Sequence, residues 1–65
     1  MISCIENINK GNEVKINKYN FIFLWFHSKG IDLQVKNNIQ IIHIPLSSIS
    51  KVELINNIFI LTLIS

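Results

Sequence analysis

Sixty-five residues with six Lys, four Asp or Glu and two His carry a formal charge of +2, which bounds the chain to one small domain and leaves no basic run of the kind that marks a nucleic-acid or lipid patch. One cysteine excludes an intrachain disulfide and no Cys/His set has metal-site spacing. The longest apolar run, Phe21–Phe26, is far below the roughly 18 residues of a membrane-spanning helix.

The chain has no Ala and no Arg but fifteen Ile and nine Asn. Omitting the best helix former and filling the chain with β-branched side chains pushes it toward strand. Ile, Asn and Lys together also fit an AT-rich coding sequence, as in a low-GC microbe or one of its phages or plasmids. MISCIEN at the start has neither a basic nor a long apolar segment, so no signal peptide is expected. The expected setting is the reducing cytoplasm.

In chain order, Ile2–Ile8 reads as a short edge strand and Lys10-Gly11-Asn12 as a turn. Glu13–Lys18 alternates, with Val14 and Ile16 inward. Tyr19–His27 is apolar on both faces, as expected of a central strand covered on two sides. Ser28-Lys29-Gly30 then reads as a three-residue hairpin loop and Asn37-Asn38 as a tight two-residue turn. Between them, Ile31, Leu33 and Val35 alternate with Asp32, Gln34 and Lys36, and Ile39–Ile44 returns. Pro45, without an N–H, ends that strand. Leu46–Ser50 fits a helical turn or a loop, and Lys51–Ile55, Asn56-Asn57 and Ile58–Ile64 form a last hairpin. These elements predict an all-β fold: a small antiparallel meander, closed into a partly open barrel or split into two packed sheets, with little or no helix.

The two central turns fix registers. A three-residue loop at Ser28–Gly30 sets His27 against Ile31, Trp25 against Leu33 and Phe23 against Val35. The Asn37-Asn38 turn sets Leu33 against Ile42 and Ile31 against Ile44. One face then holds Phe23, Trp25, Ile31, Leu33, Val35, Ile42 and Ile44, with Trp25 in the core. The other holds Ile22, Leu24, Phe26, Ile39 and Ile41 beside Asp32, Gln34, Lys36 and His43. A slip of one residue in either turn exchanges the faces of a strand.

At GIDLQVKNNIQIIHIPLSSISKVEL the order of features resembles the middle of bacterial pleckstrin-homology-like and GRAM-like domains. There an apolar strand leads through a turn into Ile-Pro-Leu, then an Ile and a Val-rich strand. The corresponding residues are Ile44-Pro45-Leu46, Ile49 and Val52-Glu53-Leu54, and the resemblance spans about residues 19–55. It implies a half-barrel built for interaction. The C-terminal helix of those domains and the basic lipid-binding loop of some members have no counterpart.

The candidate chemistry is sparse. His43 falls opposite Asp32, and a carboxylate beside an imidazole orients a general base, but no nucleophile is placed with them and a cross-strand surface contact is the simpler use. His27 and His43 lie on different faces in this register without a third ligand, so neither a metal nor a cofactor is expected. Cys4 is expected to be a small buried hydrophobe. The aromatic stripe of Tyr19, Phe21, Phe23, Trp25 and Phe26 fits a core better than a base-stacking platform, because the Lys residues do not interleave with it.

The leading expectation is therefore a non-enzymatic protein–protein interaction module, homo-oligomeric or bound to another protein. Its interaction face is Ile22, Leu24, Phe26, Ile39 and Ile41, and the Ile58–Ile64 edge extends a sheet across two copies. A phage- or plasmid-encoded inhibitor of a host protein is one concrete form. The alternative is a small single-stranded nucleic-acid-binding β-barrel. Membrane binding is not expected.

Overall fold

Asparagine and glycine make most of the corners of this chain. Asn17, Asn37, Asn56 and Asn57 all have positive φ (55°, 68°, 52° and 66°), and Gly11 sits at 94°. Side chains that tolerate the left-handed region are what tight reversals need, and Asn56-Asn57, with both residues there, has the backbone signature of a primed hairpin turn.

The computed structural model describes residues 3–64, with side chains from residue 5 onward. Between the corners lie β1 (Glu13–Ile16), β2 (Tyr19–His27), β3 (Gly30–Val35), β4 (Ile41–Pro45), β5 (Ile49–Ile55) and β6 (Ile58–Leu63). Single 3-10 turns occupy Ser3–Asn7 and Leu46–Ser48. The strands form one sheet in the order β4-β3-β2-β1-β6-β5. The all-β fold with little helix expected from the Ile load is the fold the chain adopts.

The shortness of one connection requires this sheet to be curled. Its edge strands are β4 and β5, five spacings apart, or about 24 Å if flat. Only Leu46–Ser48 joins Pro45 to Ile49, a link that reaches at most about 14 Å. The two edges must bend toward one another, which makes a partly open barrel; β4 and β5 are not paired, so it does not close. Lys29 and Ser48 carbonyls accept hydrogen bonds from the Leu46 and Ile64 amides at 3.0 and 2.8 Å and fix both ends of this link.

The inner face collects Val14, Ile16, Phe21, Phe23, Ile31, Leu33, Ile49, Phe59 and Leu61, all buried. Ile5 and Ile8 fold over them from the N-terminal segment and are buried too. Val35, Ile42, Ile44, Leu46, Val52 and Leu63 pack around the rim. This core is small, and the short N-terminal turn serves as its lid.

Several sequence expectations need correction. Ser3–Asn7 is a 3-10 turn, not part of an edge strand; Asn7 and Asn9 favour local turns over a ladder. Ile2 and the Cys4 side chain lie outside the described residues. Four strand pairings are antiparallel as expected, but β1 and β6 are parallel. The Leu46–Ser48 link carries the chain on without reversing it, so the following hairpin returns β6 in the direction of β1. β6 is consequently interior, and Ile58–Ile64 is not an edge. Finally, β2 is central but is not covered on both faces, since Trp25 is 51% exposed.

Candidate functional site

The outer face is set by a two-residue turn and a bulge. His27 pairs with Gly30, so the loop is Ser28-Lys29 alone, and the register shifts between Phe23 and Trp25 at Leu24. An extra residue in one strand moves every side chain beyond it to the other face. Phe23 stays inward against Leu33, while Trp25 lies opposite Asp32 and Phe26 opposite Ile31. The expected pairs Trp25–Leu33, Phe23–Val35 and His27–Ile31 are therefore not formed. Beyond β3 the expectation holds: Ile31 pairs with Ile44, Asp32 with His43 and Leu33 with Ile42.

Three outer rows cross β2, β3 and β4: Ile22–Gln34–Ile41, Trp25–Asp32–His43, and His27–Gly30–Pro45. The last two bring together both imidazoles of the chain. Nδ1 of His43 is 2.9 Å from Oδ1 of Asp32, and Nε2 of His27 is 3.5 Å from the same oxygen. The two rings stack with centroids 4.9 Å apart and planes 15° apart. Asp32 is the least exposed of the three side chains, at 20%.

Glycine at position 30 is required beneath this pair. A Cβ there would stand 2.4 Å from the Ile44 carbonyl oxygen, 2.9 Å from Cε1 of His43 and 3.0 Å from Cα of Pro45. Its hydrogen atom is the only substituent that fits between β4 and the rings. Electrostatics follow the geometry. The hydrogen bond with His43 holds the Asp32 carboxyl below its ordinary value; partial burial opposes this, and His27 adds to it.

The expected interaction residues are distributed over more than one face. Ile22 is half-buried and shares a row with Ile41, which is 56% exposed. Leu24, half-buried, is the residue taken up by the bulge. Phe26 lies in the row opposite Ile31 and not on the outer face, and is 36% exposed. Ile39 is 89% exposed but belongs to the β3–β4 connection rather than to β4. Trp25, expected in the core, joins Ile22 and Ile41 outside. A second exposed apolar pair, Leu54 and Ile55, lies at the tip of the β5–β6 hairpin.

At one end of the sheet, Lys18, Tyr19, Asn20, Phe21, Val35, Lys36 and Asn37 line a shallow open depression. Lys36 also reaches Glu13 at 3.4 Å.

Comparison with protein-family models, with curated proteins and with solved structures finds no match to this chain. The site consequently stands on its own geometry. Sequence reasoning placed His43 beside Asp32 but missed His27. The signal available was His27-Ser28-Lys29-Gly30 itself: a two-residue loop puts His27 over Gly30 and Trp25 over Asp32. Ser-Lys lacks the positive-φ residues that usually mark such loops, and neither residue has positive φ here.

Proposed function

We propose that this domain is a non-enzymatic protein–protein interaction module that self-associates through β4 and the adjoining outer face. The supporting observation is the contrast between the two sheet edges. β5 is guarded as natural edges are, with Lys51, Glu53 and a bulge between Ile49 and Lys51. β4 reads Ile-Ile-His-Ile-Pro, without Lys, Asp or Glu and with Pro45 only at its end, and it carries the exposed Ile41 on the same outer face as Trp25. An apolar edge that lacks charged side chains is a template for strand addition, and antiparallel pairing of β4 with its own copy satisfies a two-fold axis with one self-complementary surface. The occupant is a second copy of this chain.

Sedimentation or light scattering over a concentration series tests this, with Ile41→Lys as the variant. The exposed position tolerates lysine in the monomer, so circular dichroism should be unchanged while the dimer dissociates. A wild type that remains monomeric at high micromolar concentration rejects self-association.

A second reading, a single-stranded nucleic-acid binder, draws on the depression whose lining includes the exposed Tyr19 together with Lys18 and Lys36. An aromatic face flanked by cations fits a stacked base. Oligonucleotide binding that weakens steeply with salt supports this reading; salt-tolerant self-association supports the first.

A further inference from the structure

We infer that His27, Asp32 and His43 form a binding site for one divalent first-row transition ion, zinc being the reference case. The ligand atoms of the three side chains all lie within 4.8 Å of one another. They come from three adjacent strands whose registers are fixed by backbone pairing, so the set is built by the sheet and not by a flexible loop. Two imidazoles and one carboxylate are a donor set that zinc and its neighbours accept, with open positions left for water.

The geometry needs little change. Ligand bonds of about 2.0–2.2 Å put two donors on a tetrahedral ion roughly 3.4 Å apart. The Asp32 oxygen is already 2.9 and 3.5 Å from the two ring nitrogens. Near-parallel stacked rings do not aim both lone pairs at one point, so one imidazole must turn about its outer torsion. That torsion is soft, and the His27 and His43 side chains are 39% and 47% exposed, which leaves room for the turn. The carboxylate stays as the fixed member.

Two features independent of the donors mark the place. Gly30 supplies the close approach that lets the rings meet above the sheet, since a Cβ would strike His43 and the β4 backbone. The Leu24 bulge moves the end of β2 so that His27 shares the face of Asp32. Proton and metal compete for the same atoms: with His43 donating from Nδ1 to Asp32, binding at Nδ1 requires that proton to leave or to move to Nε2.

The site has a built-in reporter, because Trp25, the only tryptophan, is the cross-strand neighbour of Asp32. Zinc titrated calorimetrically into the full chain should bind at one equivalent near neutral pH, and Co²⁺ or Cu²⁺ should quench Trp25 emission at the same stoichiometry. The exposed double variant His27→Ala/His43→Ala should lose affinity by more than about tenfold, as should Asp32→Asn, with circular dichroism confirming the fold. Absence of binding by the wild type overturns the assignment, and so does affinity that persists in the double variant, which is what coordination by the Cys4 thiol alone would give.

Discussion

Replacing Gly30 by Ala offers a test whose sign, not only its size, depends on the fold. Glycine to alanine at an unstrained position stabilises a protein by about 0.4–1 kcal/mol, because the unfolded chain loses freedom. Gly30 has no positive φ, so its backbone is open to alanine and a sequence-level view predicts a gain. The structure reverses this. The new methyl would stand 2.4 Å from the Ile44 carbonyl oxygen, where ordinary contact begins near 3.4 Å, and would also press on Pro45 and His43. Two of the three contacts are backbone, so β4 must move away from β3 by several tenths of an ångström or more. Overpacking of this kind costs about 1–3 kcal/mol. After subtraction of the entropic gain, the net loss centres on about 1.3 kcal/mol and reaches at most about 2.6 kcal/mol, against a total of about 3–10 kcal/mol for a chain of this length. Urea denaturation followed by circular dichroism should show a midpoint lowered by about 1–2 M, for a slope near 1 kcal/mol/M. A midpoint that is unchanged or raised refutes the close approach of β4 to Gly30.

Leu33 and Trp25 should behave in opposite ways under truncation. Leu33 is fully buried, and Leu33→Ala should cost about 2–5 kcal/mol. Trp25→Ala should cost at most about half of the roughly 3–5 kcal/mol of a buried tryptophan, and native Trp25 emission should be red-shifted and open to iodide quenching; blue-shifted, shielded emission would restore the expected core position. Acid should destabilise the domain partly through Asp32. Its folded-state pKa is depressed below the ordinary 3.8, so its contribution is complete above that value and disappears as pH falls through the lower folded value. Urea midpoints measured from about pH 5 down to about pH 2 should fall more gently for Asp32→Asn than for wild type, and identical profiles would show that the contact with His43 has no effect on stability.

What the sequence determined by itself was local. Fifteen Ile without Ala, and Asn or Gly at nearly every corner, specify strands and reversals through propensity and backbone tolerance, which neighbouring residues decide. The alternation in Ile31–Val35 was enough to place Leu33 and Ile31 inside and to pair Asp32 with His43. Tertiary structure decided what needed more than one strand. Nothing in Ile58–Leu63 announces a parallel partner, because direction is inherited from a connection that carries the chain across the curled sheet. The Leu24 bulge is likewise a property of how β2 pairs with β3, and together with the two-residue Ser28-Lys29 turn it exchanged the faces of Trp25 and Phe26. His27 met Asp32 and His43 through that exchange. A period of two makes a strand's faces legible only up to its first irregularity, and in this chain the candidate site lies just beyond one.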